Sequence, residues 1–137
     1  MGNEDKIRRI LVVDDEATIR EVLTDFLVLE GYDVVCVESG EAALARIARE
    51  RFDAALVDMK MPGISGLEVL RHLRREAPST LAVMMTGYGT VETAIQAMKL
   101  GAFDYILKPF KVQDVIRLLE HGLEQLRLEE ENIQLRE

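Results

Sequence analysis

The chain is short of positive charge, cysteine and long apolar runs, and each shortage removes a class of function. Its 137 residues carry 17 lysines and arginines against 25 aspartates and glutamates, a formal net charge of -8. That balance argues against direct nucleic-acid binding by this segment. The single Cys36 has no partner for an internal disulfide, and its place in the apolar stretch Val34 to Val37 implies a buried, inert thiol. No apolar run approaches the roughly 18 residues of a membrane span. The opening Met1-Gly2-Asn3-Glu4-Asp5-Lys6 lacks the apolar core of a signal peptide, and Lys6 stands where a myristoylation signal wants Ser or Thr. No membrane contact and a cytoplasmic location are therefore expected. Walker and helix-turn-helix motifs are also missing, so ATP hydrolysis and DNA reading are not expected of these residues. At 48% apolar and 31% charged, the composition suits one folded domain with a real core.

What is present is a series of short apolar runs, each ending in a polar residue. Asp14 and Asp15 close Ile10 to Val13, Asp58 closes Ala54 to Val57, Thr86 closes Leu81 to Met85, and Lys108 closes Tyr105 to Leu107. Such runs read as strands buried on both faces. Helical stripes lie between them. Ile19, Val22, Leu23, Phe26 and Leu27 precede Gly31, and Ser39 is placed to cap a helix carrying Leu44, Ile47 and Ala48. Leu67, Leu70 and Leu73 come before Pro78, while Val91, Ala94, Ile95 and Met98 form the expected inner stripe of a fourth helix ended by Gly101. With a second strand over Asp33 to Val37 and a last helix from Val112, strand and helix alternate five times. That pattern predicts a parallel sheet with right-handed crossovers and helices on both faces.

Parallel strands bring the polar ends to one edge, where open α/β sheets bind ligands. Three carboxylates, a hydroxyl and an ammonium are expected to meet there. Mutual repulsion among Asp14, Asp15 and Asp58 asks for a cation, and an all-oxygen set suits Mg²⁺. Asp58 then becomes a carboxylate nucleophile able to form an aspartyl-phosphate. Metal and Lys108 neutralise charge on the transferring oxygens, Thr86 offers a hydrogen bond, and Gly87 leaves room for the group to enter.

The last helix is expected to be long, reaching about Leu135. Leu119, Leu123 and Leu126 keep a 4-3 spacing that continues through Glu130 to Ile133, and a shifted stripe through Leu128, Asn132 and Leu135 reads equally well. Either stripe gives a heptad-like face of the kind that pairs with another helix. The competing reading packs only the first half on the domain and leaves the acidic remainder in solvent.

Leu11-Val12-Val13-Asp14-Asp15-Glu16, the Asp58 strand followed by Met61-Pro62-Gly63, Thr86, and Lys108-Pro109-Phe110 resemble the receiver domain of two-component response regulators. The resemblance implies a doubly wound (βα)5 flavodoxin-like receiver fold with sheet order 2-1-3-4-5, here with an extended C-terminal helix. It implies that Asp58 is the phospho-acceptor for a sensor histidine kinase. Asp15, Asp58 and the Lys60 backbone carbonyl would ligate Mg²⁺, Asp14 would act through water, and Thr86 and Lys108 would hold the phosphoryl oxygens. Tyr105, three residues before Lys108, takes the place of the family's switch aromatic. Thr86 would move toward the phosphate and Tyr105 would turn inward, altering the face of the fourth helix, fifth strand and fifth helix. Lys60 and Tyr88 would flank the site and tune phosphate lifetime. A cis peptide before Pro109 is also expected.

A narrower likeness is carried by Thr86 to Ala94 and Met98 to Tyr105, which resemble receivers of nitrogen-regulatory, sigma-54 enhancer-binding activators. Glu129 to Arg136 is similar to the linker that leads to their AAA+ domain. The chain then divides into a polar tail at 1–6, a receiver at 7–126 and a helical linker at 127–137 toward an output domain for transcription. A homodimer through the fourth helix, fifth strand and fifth helix, with the C-terminal helix, is expected. A turnover phosphatase of the haloacid-dehalogenase type wants a second Asp two positions after the nucleophile, where Lys60 stands. A receiver that docks or dimerises without phosphorylation is the alternative, and the full set of Asp14, Asp15, Asp58, Thr86 and Lys108 speaks against it.

Overall fold

In the computed structural model, which describes residues 6–87 and 91–136, strands and helices alternate along the chain. They are β1 (Arg9–Val13), α1 (Ala17–Leu29), β2 (Asp33–Val37), α2 (Gly40–Ile47), β3 (Ala54–Asp58), α3 (Gly66–Glu76), β4 (Leu81–Thr86), α4 (Val91–Lys99), β5 (Asp104–Leu107) and α5 (Val112–Arg136). Every strand pair is parallel and the sheet order is β2-β1-β3-β4-β5, as the resemblance implies.

Strand periodicity divides the core into two layers. Successive side chains point to opposite faces, so Leu11, Val13, Ala55, Val57, Ala82 and Met84 meet Ala43, Ile47, Val69, Leu70, Leu73 and Ala97 from α2, α3 and α4. Ile10, Val12, Ala54, Leu56, Leu81, Val83 and Met85 meet Leu23 and Leu27 of α1 and Val115, Leu119 and Leu123 of α5 on the other side. β1, β3 and β4 are thus buried on both faces, which is why they read as unbroken apolar runs.

Several expectations are corrected. β5 is an edge strand of alternating exposure, with Tyr105 and Leu107 open to solvent, so it is not a doubly buried run. Ile106 packs on the layer of α1 and α5, while Tyr105 and Leu107 point to the opposite face, which is left open. On α4 the expected inner stripe faces outward: Val91, Ile95 and Met98 are 76%, 47% and 44% exposed. The small Ala97 is the buried residue of this helix, with Ala94 and Leu100 half-buried beside it. Small side chains seat this helix against the sheet and leave its larger ones outside. Phe26 of α1 is likewise exposed, and Ala48 follows α2 on the surface. Leu119 and Leu123 are core residues, and Leu126 packs on the same layer, so this stripe serves the domain itself. The same spacing suits a helix docking on its own sheet and a helix docking on a partner, and the domain uses it first.

The segment after β3 is held tightly beneath the sheet edge. Ser39 caps α2 by accepting from the Ala42 amide at 3.1 Å, and Ser65 caps α3 by accepting from the Glu68 amide at 3.3 Å. The Gly66 amide donates to the Met59 carbonyl at 3.1 Å. A Cβ at position 66 would stand 2.2 Å from the Asp58 carbonyl oxygen and 2.7 Å from Met59 Cα. Both are main-chain atoms, so the strand end itself would have to move. Gly66→Ala is expected to lower stability by about 1–3 kcal/mol, read as a fall in the urea midpoint. An unchanged midpoint would show that this contact relaxes freely.

Candidate functional site

The site is built at the C-terminal edge of the sheet because four parallel strands end there together. β1 stops at Val13, and the next amide, of Asp14, still donates to the Val37 carbonyl at 3.2 Å. β3 ends in Asp58, after which the Met59 amide donates to the Met85 carbonyl at 2.8 Å. β4 ends in Thr86, whose carbonyl accepts from the Lys108 amide at 2.8 Å. Asp14, Asp58 and Thr86 are all buried. The Lys108–Pro109 peptide is cis, as expected.

The Lys108 ammonium is the hub. Its Nζ lies 2.7 Å from Asp14 Oδ2, 3.2 Å from Glu16 Oε1 and 3.4 Å from Asp58 Oδ2. Asp14 is fixed from behind, its Oδ1 accepting the Glu16 amide at 2.9 Å while Arg20 donates to its backbone carbonyl at 2.8 Å. Asp58 Oδ1 accepts the Lys60 amide at 3.3 Å. Asp15, which is exposed, joins Asp14 and Glu16 in a group whose carboxylate oxygens lie within 4.8 Å of one another. Asp58 is tied to that group through Lys108. Tyr105 is not at the site; it sits on β5, 38% exposed. Tyr88 lies outside the described residues.

Four carboxylates against one ammonium leave a surplus of negative charge around a buried pair of aspartates. Burial, and then the neighbouring Asp14 charge, push the Asp58 carboxyl up to about 6, against the pull of Lys108 and the Lys60 amide. Burial works against the Lys108 ammonium as well, but Asp14, Asp58 and Glu16 outweigh it and hold its pKa above the usual lysine value. Oxygen donors, surplus charge and a half-open edge fit a hard divalent cation. The sequence reading gives Glu16 no role of its own, yet its carboxylate reaches both the acidic group and Lys108. The one available signal is the unbroken Asp14-Asp15-Glu16 triplet.

Residues 10–120 match the family model of the response regulator receiver domain. The chain is 41% identical over 125 residues to the response regulator protein FleR of Pseudomonas aeruginosa, covering 90% of this chain and 26% of that protein. It is 38% identical over 130 residues to the nitrogen assimilation regulatory protein NtrX of Azorhizobium caulinodans, covering 93% and 29%. A CheY-like receiver domain protein from Methanospirillum hungatei superposes with a TM-score of 0.88 at 32% identity, over 90% of this chain and 99% of that one. NtrX from Brucella abortus in complex with ATP also gives 0.88, at 34% identity over 95% of this chain and 30% of that one. The chain belongs to the response regulator receiver family, a class of signalling modules rather than turnover enzymes. Within it, the chain is homologous to the receivers of sigma-54 activator response regulators and spans 26–29% of the length of the two curated relatives above.

The raised Asp58 value has a definite sign. Its carboxyl holds a proton more readily in the fold than in the unfolded chain, so ionised Asp58 costs stability above about 6 and the cost vanishes below 3.8. In metal-free protein the Asp58 contribution to stability should therefore fall as pH rises through that window. Asp58→Asn should flatten this slope and stand about 1–2 kcal/mol above wild type at neutral pH. Parallel pH profiles of urea unfolding for the two proteins would contradict this.

Proposed function

We propose that this domain receives a phosphoryl group on Asp58 from the phosphohistidine of a sensor histidine kinase in the cytoplasm, with Mg²⁺. The observation that carries the reading is the bridge from Asp14 to Asp58 through Lys108 at 2.7 and 3.4 Å. It leaves one activated carboxylate beside a charge suited to a phosphoryl oxygen. Asp58 Oδ attacks phosphorus; the new O–P bond forms as the donor's P–N bond breaks, and the imidazole nitrogen keeps that electron pair. Lys108 then turns from Asp58 to a phosphoryl oxygen, and the Thr86 hydroxyl donates to another. Asp15, Asp58 and the Lys60 carbonyl would hold Mg²⁺, with Asp14 acting through water, and the ion would supply further charge neutralisation on those oxygens.

The same reading assigns the division of the chain and its output. Residues 1–6 are a tail, 7–126 the receiver, and 127–137 a helical linker to an output domain that activates transcription. Movement of Thr86 draws Tyr105 inward and remodels the surface of α4, β5 and α5. Exposed Val91, Ile95, Met98, Tyr105 and Leu107 support that surface as the homodimer contact. Since Leu119 and Leu123 are already used in the core, the α5 contribution falls to its distal turns.

With acetyl phosphate and Mg²⁺, intact-mass measurement should show the gain of one phosphoryl group. Asp58→Asn should abolish the gain and chelation should prevent it; undiminished uptake by Asp58→Asn would overturn the assignment. In sedimentation velocity, beryllofluoride with Mg²⁺ should change the dimer fraction, and Ile95→Asp should reduce dimer in whichever state forms it. A monomer in both states would remove the dimer from this reading.

A further inference from the structure

We propose that Arg20 is a positioning residue for the cation site: its bond to the Asp14 carbonyl sets how Asp15 presents its carboxylate. Removing this positive charge then weakens Mg²⁺ binding instead of strengthening it. The inference rests on the metal role given to Asp15 above. Asp14 lies one residue beyond β1, and its amide, carbonyl and carboxylate are each tied. The amide donates to the Val37 carbonyl at 3.2 Å, Oδ1 accepts the Glu16 amide at 2.9 Å, and the carbonyl accepts from Arg20 Nη1 at 2.8 Å. Arg20 also donates its backbone amide to the Glu16 carbonyl at 3.2 Å. The residues on either side of Asp15 are thus both held by residue 20, while Asp15 itself is exposed.

Planarity carries the bond to Asp15. The Asp14 carbonyl and the Asp15 amide belong to one peptide unit, whose atoms lie close to a plane. Fixing the carbonyl direction therefore fixes the Asp15 Cα, from which that side chain springs. Charge pairing does not explain where the guanidinium sits. The carboxylate beside it, Glu38, is 3.9 Å from Nη2 and its side chain is 77% exposed, a pair worth little in water. The Arg20 side chain is only 20% exposed, and its short bond goes to the neutral carbonyl. The two roles open to Arg20 have opposite signs. As a charge alone it repels a divalent cation from the neighbouring carboxylates and opposes Mg²⁺. As a brace it favours Mg²⁺, because an ion bound through few carboxylates depends on how their supports place them.

The test titrates Mg²⁺ into wild type, Arg20→Met, Arg20→Lys and Asp15→Asn, following the amide NMR shifts of Asp58 and Lys60 in the folded protein. Wild type should bind, and Asp15→Asn should lose most of that affinity. No binding by wild type would overturn the metal reading and this inference with it; the Arg20 variants judge the brace alone. Arg20→Met keeps an unbranched stem without charge or donor, and should bind Mg²⁺ about tenfold more weakly. Arg20→Lys restores the charge and an N–H donor, and should recover part of that loss. The Asp14 carbonyl carbon and Asp15 amide nitrogen resonances should move in Arg20→Met and return toward wild type in Arg20→Lys, a signature that altered stability alone would not produce. Equal or tighter Mg²⁺ binding by Arg20→Met would leave Arg20 only its charge and would overturn the proposal. Weakening in Arg20→Lys as deep as in Arg20→Met would also overturn it, since the donor would then be irrelevant.

Discussion

Parallel pairing is the constraint from which the site follows. The polar residues at 14, 58, 86 and 108 are far apart in sequence, and each sits at or just after the last residue of a strand. Hydrogen bonds between neighbouring strands carry past the strand ends, from Asp14 to Val37, from Met59 to Met85 and from Lys108 to Thr86. The sheet's register therefore fixes how far the Lys108 ammonium must reach to meet Asp14 and Asp58. A one-residue slip would send every side chain to the opposite face and disperse the group.

The charges gathered there resist being gathered. Asp14 and Asp58 are buried like charges, and burial of either is unfavourable unless a cation sits between them. Lys108 supplies that cation within the chain, but a single ammonium is outnumbered. Burial first, and then the neighbouring Asp14 charge, hold Asp58 at the upper end of the carboxylate range. The backbone at Gly66 seats closely against the end of β3 that carries the Asp58 carboxylate.

Legibility in the sequence tracked burial. β1, β3 and β4 are covered on both faces, so their apolar runs and polar endings stood out, and with them Asp14, Asp58 and Thr86. β5 is covered on one side, and three apolar residues in a row do not distinguish a central strand from an edge. On α4 the spacing marked an apolar stripe correctly but not which way it turned, because Ala97 is too small to announce the inward face. The leucines of α5 carried the same ambiguity between own core and partner. Glu16 was visible as a residue and silent as a contact: its meaning depends on where the flexible arm of Lys108 ends, which no spacing encodes. Sheet order came from resemblance, since strand alternation alone allows other windings.

The anchored half of α5 has a mechanical consequence. Val115, Leu119 and Leu123 clamp the helix into the core, and it continues without a break to Arg136. Glu124, Arg127 and Glu131 stiffen the emerging stretch with ion pairs along one side. A rod clamped at one end is a lever arm. From Leu126, the last residue packed on that layer, to Arg136 it measures about 15 Å at the usual rise per residue, so a tilt of about ten degrees at the clamp moves Arg136 through roughly 3 Å. Small repacking at the clamp thus emerges at Arg136 as a displacement comparable to the spacing between contacting atoms.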